Sequence, residues 1–349
     1  MLLCLKVKIV RGVLMDFAKF VEECCLHPRI LLAVLPSLLL MLVNGWTDAP
    51  VNIATAIHSG AVKPRVAIII SAVCNFLGAV TMCVFGSSVA VNIYNISGLP
   101  SAGEKTLPAL TAAVVAVSVW SLAALYFGLP TSESHALMAA LSGSAIAVGG
   151  FSTFNGAEWL KVLLGIVLST LPVVAVSYFV AKLFKSKIKL PETTFKKLQV
   201  LGAALSSFSH GAQDGQKLAG VLTLAAVLGL QTQSANVKIP LWTVVVAALV
   251  ISLGTLLGGR KIINTFKEFA PTDPSLGFGS DLVSAVCLTI LSAVGLPAST
   301  THAKSSAVFG AGKVDHTQNK DNKAARQMVL VWVLTFPICA VLAWVFTKI

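Results

Sequence analysis

The sequence predicts an all-α, polytopic integral membrane protein built from two repeats that contain broken or re-entrant helices. Its composition, its long apolar segments and two polar motifs that each occur twice lead to this prediction. Of the 349 residues, 56% are hydrophobic and only 11% are charged, and the mean hydropathy is +0.85. Soluble domains carry about 25% charged residues. The composition therefore indicates a chain that folds within a lipid bilayer.

Seven apolar segments recur along the chain, and several approach or exceed the roughly 20 residues that a helix needs to cross a bilayer. They cover residues 30–43, 66–91, 107–127, 160–183, 241–257, 282–294 and 328–345. Strand-like alternation of apolar and polar residues with short turns is absent from these segments. Transmembrane helices are therefore favoured over a barrel of strands.

Two polar motifs between these segments occur twice at nearly the same spacing. NGWTDAPVNIATA (44–56) precedes GLPTSESHALMAALSG (128–143), and HGAQDGQKLAGVL (210–222) precedes GLPASTTHAKSSAVFG (295–310). Asp48 and Asp214 stand 166 residues apart, and Gly128 and Gly295 stand 167 apart. Two matches in the same register predict an internal duplication.

The duplication divides the chain into four predicted segments. Residues 1–28 form an N-terminal amphipathic segment suited to the membrane surface. Residues 29–184 form the first membrane repeat, and residues 198–349 form the second. Residues 185–197 form a lysine-rich linker, and such clusters of lysine are typical of cytoplasmic loops that face anionic lipid.

Asp48 and Asp214 place one carboxylate at matching positions of the two repeats, close to apolar segments. A carboxylate at the centre of a membrane helix costs about 3 kcal/mol on insertion scales, so it usually faces a protein-lined cavity and marks a functional site. The alternative is a structural carboxylate bonded to a neighbouring helix. The matching positions favour the functional interpretation.

The Gly-Leu-Pro motifs predict broken helices. Pro130 and Pro297 cannot continue a helix from the preceding turn, but each suits the start of a new one. Hydroxyl residues follow both prolines, namely Thr131, Ser132, Ser134, Ser299, Thr300 and Thr301. A new helix N-terminus offers free N–H groups and a positive dipole end, which together bind anions. Paired broken helices predict a transporter with a central site, whereas the simpler alternative is that the hydroxyls only cap kinked helices.

These motifs resemble the signatures of the inorganic phosphate transporter family, the sodium- or proton-coupled phosphate permeases. With SFSHGAQDGQK and LGFGSDLVSAVCLTILSAVGLPASTTH, the resemblance extends over residues 31–312. It implies two inverted-topology repeats, phosphate held between them and cations near the motif aspartates. It further implies a symporter of inorganic phosphate with sodium or protons, a multi-pass protein of the bacterial plasma membrane.

The resemblance, together with the residues that depart from it, predicts two groups of site residues. Phosphate is expected at Ser132, Ser134, Ser299, Thr300, Thr301, Gln216 and Lys217. The coupling cation, with sodium at the two aspartates as one option, is expected at Asp48, Asp214, Asn44, Thr47, Asn52, Gln213 and Glu133.

Several of these positions depart from the family pattern. Asn52 stands one place late after Asp48 and would point about 100° round a helix from the expected side. Gln216 and Lys217 stand where many members have alanine and asparagine. Lys217 either supplies a fixed positive charge beside the anion or snorkels to the interface. Glu133 replaces a hydroxyl residue and either carries a coupling proton or caps the half-helix.

Three other functions fit parts of the sequence. Another tetrahedral oxyanion, chiefly sulfate, would use the same hydroxyls, and an anion channel would use the same apolar helices. A membrane hydrolase would need a nucleophile, a base and an orienting acid, of which the pairs Ser132/His135 and Ser299/His302 offer only two. No enzyme, no cofactor besides the coupling ion and no nucleic-acid partner are predicted. The expected partners are phosphate, sodium or protons and membrane lipids, and a homo-oligomer is left open.

Overall fold

The computed structural model describes residues 17–99, 105–230, 239–315 and 323–349, and these residues form helices and no strand. After a helical stretch over 17–26, the helices in chain order are α1 (Leu31–Thr47), α2 (Ala54–His58), α3 (Pro64–Phe85), α4 (Ser88–Ile96), α5 (Thr106–Phe127), α6 (Glu133–Gly149), α7 (Gly156–Lys187), α8 (Glu192–Gly229), α9 (Leu241–Leu256), α10 (Arg260–Lys267), α11 (Pro274–Ala293), α12 (Thr300–Gly312) and α13 (Lys323–Lys348). The predicted all-α architecture is confirmed.

Six helical stretches of the described chain are long and apolar enough to cross a membrane. They are Pro28–His58, Pro64–Phe85, Thr106–Phe127, Gly156–Lys187, Pro274–Ala293 and Arg326–Lys348. Helices α9 and α10 make a seventh if they count as one span, although they are bent by 69° at the break between them. Gly258 and Gly259 occupy this break with φ of 85° and 36°, a backbone conformation that favours glycine. The chain is a multi-pass membrane protein.

Three helices that carry motif residues, α6, α8 and α12, lie in the interior of the protein. Between residues 206 and 226 of α8, every side chain except that of Phe208 is buried. The short helices α6 and α12 are buried over almost their whole length. Helices α3 and α11 pack against α8, α13 packs against α6, and α7 packs against α12. The motif residues on the inner helices are therefore held away from lipid.

Glycines bring the helices that carry the aspartate motifs close to their neighbours. Gly45 of α1 and Gly254 of α9 face each other's helix so closely that a Cβ on either would overlap a backbone carbonyl oxygen. Gly211 of α8 and Gly78 of α3 make the same kind of crossing. Small residues at such positions let membrane helices pack backbone to backbone. Gly45 and Gly211 stand 166 residues apart, which is also the spacing of the two motif aspartates.

Both Gly-Leu-Pro motifs break the helical path, as the sequence predicts. Gly128 and Gly295, with φ of 69° and 74°, follow the ends of α5 and α11 closely and turn the chain away from the helix. The half-helices α6 and α12 then begin, each capped by a serine. Ser132 Oγ accepts from the backbone N–H three residues later at 3.3 Å, and Ser299 Oγ does the same at 3.2 Å. These caps satisfy N–H groups that a helix start leaves unpaired.

The two aspartate motifs differ from each other in local structure. Asp48 follows the end of α1, and a 3-10 helix over Ala49–Ile53 comes next because Pro50 cannot donate the hydrogen bond that would continue the α-helix. Asp214 lies inside the uninterrupted helix α8. The second motif lacks a proline, and the helix continues through it.

Two predicted segments contain helices that the sequence did not delimit. The apolar segment 66–91 is two helices, because α3 ends before Gly86 and a new helix starts at Ser88. The segment 185–197 is mostly helical, since only residues 188–191 separate α7 from α8. Glu192 and Lys196 form an ion pair of 2.8 Å in the first turn of α8, which supports that helix. Of the N-terminal segment 1–28, residues 1–16 lie outside the described chain.

Candidate functional site

The two half-helices meet at their N-termini in the interior of the protein. Ser132 Oγ and Ser299 Oγ lie 2.8 Å apart, and both side chains are buried. The imidazole rings of His135 and His302 touch with centroids 4.3 Å apart. Each pair joins residues 167 positions apart, so equivalent residues of the two motifs contact each other. Two positive helix ends therefore lie side by side, an arrangement that favours a bound anion.

Lys217 of α8 connects both half-helices. Its side chain is 2% exposed, and Nζ donates to Ser134 Oγ of α6 at 2.6 Å. It also donates to the Ala298 carbonyl, just before α12, at 2.5 Å and to Asp214 Oδ1 at 2.7 Å. The alternative that Lys217 snorkels to the interface is wrong, because its ammonium lies among three buried acceptors.

The Asp214 carboxylate accepts hydrogen bonds from side chains of three helices. Its Oδ1 accepts from Lys217, while Oδ2 accepts from Asn44 Nδ2 of α1 at 3.3 Å and from Thr300 Oγ1 of α12 at 3.2 Å. His210 Nε2 lies 3.3 Å from the same Oδ2. Three predicted residues, Asn44, Thr300 and Lys217, thus meet at the second aspartate.

His210 and Asn75 contribute to this cluster but were not among the predicted site residues. His210 Nδ1 lies 3.0 Å from Asn75 Oδ1, which leaves Nε2 directed at Asp214. The spacing of four residues between His210 and Asp214 puts both on one face of a helix and was a usable signal. Asn75 comes from α3, and its contact depends on the crossing of α3 and α8, which local sequence does not reveal.

Two further carboxylates lie near the half-helices. Glu133 Oε1 accepts from Thr47 Oγ1 at 2.5 Å, and Glu133 Oε2 has no hydrogen-bond partner among the described residues. Asp48 is 3% exposed, and its Oδ2 also lacks such a partner. Asp48, His210 and Asp214 each offer one ligand atom, and these atoms lie within 4.8 Å of one another. Buried carboxylate oxygens with unused acceptor capacity favour a cation or a proton, because an unpaired buried charge is costly.

A small cavity lies between the first half-helix, α1 and the Asp214–Lys217 pair. It measures about 10 Å³ and is lined by Asn44, Glu133, Ser134, Asp214 and Lys217, together with apolar side chains. This is about the smallest volume that holds a single water molecule. In this conformation the cavity therefore has no room for an anion the size of phosphate.

Asn52 lies away from this cavity. Its Oδ1 accepts from Ser206 Oγ at 2.9 Å, and its Nδ2 donates to the Ala49 carbonyl at 3.3 Å. Asn52 stands one position later in the sequence than the family's motif asparagine. Its side chain therefore faces a different side of the helix and does not reach the cavity. Asn52 instead lies beside a second buried aspartate–lysine pair, Asp281 and Lys304, which the sequence motifs did not single out. A carboxylate in an otherwise apolar helix was the signal for Asp281.

Three other predicted residues are buried but make no described hydrogen bond to Asp214 or Lys217. Gln213 Nε2 donates to the Leu296 carbonyl of the second Gly-Leu-Pro motif at 3.0 Å. Gln216 Nε2 donates to a carbonyl of its own helix at 3.0 Å, and Thr301 Oγ1 has no hydrogen-bond partner in the described chain. On a helix each residue is turned by about 100° from the last, so both glutamines leave the face that Asp214 and Lys217 share.

The serine–histidine pairs do not form the arrangement that hydrolysis requires. Ser132 Oγ accepts from the backbone of His135, whose ring nitrogens have no hydrogen-bond partner among the described residues. The ring of His135 stacks on Phe336 at 4.5 Å, and that of His302 packs on Trp332 at 3.7 Å. Without a base in contact with the hydroxyl, neither serine is activated as a nucleophile.

The serine contact at the meeting point gives a direct test of anion binding. We expect Ser132→Ala and Ser299→Ala each to raise the half-saturating phosphate concentration about twofold to tenfold, since a neutral hydrogen bond contributes about 0.5–1.5 kcal/mol. Phosphate uptake by protein in liposomes measures this. Ser144→Ala is the matched control, because Ser144 is buried in α6 and its hydrogen bond within the described chain goes to the Leu141 carbonyl of its own helix. Lower thermal stability with unchanged affinity would leave the serines as helix caps alone.

Comparison with known proteins identifies the relatives of this chain. The sequence model described as "Phosphate transporter family" matches residues 44–190 and 185–343. A "Probable low-affinity inorganic phosphate transporter" of Bacillus subtilis (strain 168) is 35% identical over 320 residues, covering 89% of this chain and 94% of that protein. One of the same description from Rhizobium meliloti (strain 1021) is 30% identical over 311 residues, covering 86% and 90%.

A solved structure has the same fold. The structure titled "The sodium-dependent phosphate transporter" superposes with a TM-score of 0.78 at 24% identity, covering 92% of this chain and 98% of that one. At this identity the likeness shows the fold alone. It agrees with the multi-pass helical architecture described above.

Proposed function

The chain belongs to the phosphate transporter family, and from this premise we propose that it is a symporter that moves inorganic phosphate together with sodium ions or protons. Family membership itself supports phosphate transport across the cell membrane and identifies a transporter rather than an enzyme, which confirms the predicted resemblance.

One observation supports the proposal most directly: two half-helix N-termini, a lysine and an aspartate converge at one buried point. Ser132 and Ser299 supply hydroxyls, and Lys217 supplies a positive charge that contacts both half-helices. Hydroxyl groups, helix ends and a lysine are the donors that a phosphate oxyanion accepts from. We propose that phosphate enters between α6, α12 and Lys217 when the small cavity opens.

The charges around the cavity explain why cations accompany phosphate. Carrying one negative charge inward against 100 mV, negative inside, costs about 2.3 kcal/mol, and divalent phosphate therefore costs roughly 4.6 kcal/mol. Three carboxylates and one lysine already lie in the site, so an added dianion needs further positive charge. Lys217 is bonded to Asp214, which leaves Asp48 and Glu133 as the carboxylates available to an exchangeable cation or proton.

We propose that the two halves, residues 29–184 and 198–349, are inverted-topology repeats. The contacts Ser132–Ser299 and His135–His302 support this, because equivalent residues touch where a pseudo-two-fold axis passes between repeats. An axis in the membrane plane is the arrangement in which such broken helices form a central site in transporters. Opening would then alternate between the two sides of the membrane.

Uptake by the purified protein in liposomes tests the function. Labelled phosphate should accumulate when an inward sodium gradient or an inward proton gradient is imposed, and the gradient that drives it identifies the coupling ion. Unlabelled phosphate should compete better than sulfate. Equilibration without accumulation under both gradients would contradict symport, and preferential accumulation of sulfate would contradict the substrate.

A further inference from the structure

A second aspartate–lysine pair lies outside the proposed phosphate site. Asp281 of α11 and Lys304 of α12 are both 0% exposed, and Lys304 Nζ donates to Asp281 Oδ1. The residues at the equivalent positions of the first half, 167 places earlier, are Val114 and Leu137. The pair is therefore specific to the second half and does not follow from the internal duplication.

The oxygen atoms at the Asp281–Lys304 pair are of the kinds that bind a small cation, and two of them, Asp281 Oδ1 and the Asn52 carbonyl oxygen, contact the ammonium. The Asn52 carbonyl lies 3.2 Å from Nζ, and Thr55 Oγ1 lies 2.8 Å from the same Asp281 oxygen that Lys304 contacts. Asn52 belongs to the 3-10 segment Ala49–Ile53, so its carbonyl lies where the regular α-helix has ended after Asp48. Hard cations bind oxygen ligands, and backbone carbonyls at helix breaks coordinate sodium in membrane transporters.

The Asp281 carboxylate keeps unused capacity for a ligand. Its Oδ2 is buried and has no hydrogen-bond partner among the described residues. Gly202 of α8 lies against this carboxylate so closely that a Cβ there would stand 2.9 Å from the Asp281 Cβ. The carboxylate is therefore held at the junction of α8, α11, α12 and the segment after Asp48, away from bulk solvent.

We propose that Asp281, Thr55 and the Asn52 carbonyl form a monovalent-cation site that the ammonium of Lys304 occupies as a tethered cation. The ammonium supplies the single positive charge that a buried carboxylate needs, and it cannot leave the protein with the substrate. The site therefore neutralises Asp281 without using a coupling ion. It also joins α12, whose first turn lies at the phosphate site, to the chain segment directly after Asp48.

A cation site and a purely structural ion pair respond differently to the loss of Lys304. If the oxygens form a cation site, a free sodium ion should replace the ammonium once Lys304 is removed. If they only stabilise helix packing, removal of Lys304 should leave an unpaired carboxylate that sodium does not neutralise. Breaking a buried pair by removing one partner is strongly destabilising, so the stability of the variant reports whether sodium compensates.

The test uses the purified full chain and two readouts, binding of radioactive sodium and melting temperature in sodium chloride against choline chloride. The Lys304→Met protein should bind one more sodium ion per chain than the wild type. Sodium should also raise the melting temperature of this variant more than that of the wild type, because a ligand that binds only the folded state stabilises that state. The double variant D281N/K304M should show neither gain. Lys313→Met, which removes an exposed lysine next to the same helix, is the matched control.

Two results would overturn the proposal. One is a folded Lys304→Met protein that binds no more sodium than the wild type. The other is a Lys304→Met protein that stays unfolded at every sodium concentration while D281N/K304M folds, because sodium then fails to enter the site. Neither readout requires phosphate transport, so failure here is distinguishable from failure of the proposed symport.

Discussion

Asp214→Asn should abolish phosphate accumulation in liposomes and lower the free energy of unfolding by about 3–5 kcal/mol. The reason is that the Asp214 carboxylate accepts from Lys217, Asn44 and Thr300, which come from three different parts of the site. The amide removes the negative charge that the Lys217 ammonium contacts directly. Uptake against a cation gradient and thermal unfolding of the purified protein measure the two effects separately.

A double variant separates the loss of transport from the loss of stability. D214N/K217M removes both charges of the pair, and replacing a whole buried ion pair is often neutral for stability. We expect its melting temperature to return towards that of the wild type while accumulation stays absent, because both the carboxylate and the ammonium are lost from the site. Recovered accumulation in the double variant would mean that the pair serves folding alone. Normal uptake by the Asp214→Asn protein would show that the Asp214 carboxylate has no role in transport.

The features that follow from local chemistry were predictable from the sequence. A proline followed by serine and threonine predicts a helix start with a serine cap, and Ser132 and Ser299 are such caps in the structure. The fixed spacing of the motifs predicts that equivalent positions have equivalent roles. The contact between Ser132 and Ser299 agrees with that spacing, although repetition alone does not require the two serines to touch.

The features that depend on helix crossings were not predictable in the same way. Asp281 and Lys304 lie on separate helices of the second half, and their junction with Asn52 and Thr55 arises only when α12 packs beside the broken end of α1. Asn75 reaches His210 because paired glycines let α3 and α8 approach closely. The sequence places such residues on helices but leaves their partners undetermined.

The charge of Lys217 should decide how many cations accompany phosphate. In the structure its ammonium contacts Asp214 Oδ1, where a coupling cation would otherwise be expected. Lys217→Asn removes this fixed charge and supplies an amide oxygen near Asp214. We expect uptake by this variant to depend more steeply on sodium or on protons, with one additional cation needed per phosphate. We also expect its phosphate affinity to fall about tenfold or more, because a charged hydrogen bond contributes about 1.5–3 kcal/mol.

Lys217→Gln distinguishes a restored ligand from a merely lost charge. The longer glutamine side chain carries its amide past the position near Asp214, so this variant should lose phosphate affinity while gaining less cation dependence than Lys217→Asn. Lys313→Asn, which removes an exposed lysine, should leave both quantities unchanged. The measurement is phosphate uptake against sodium concentration and against pH for all four proteins. A charge that substitutes for a coupling ion cannot be removed without changing the number of ions that transport requires. Equal phosphate affinity and equal cation dependence in all four proteins would therefore show that the buried ammonium only holds α8 to the half-helices and takes no part in the charge balance of transport.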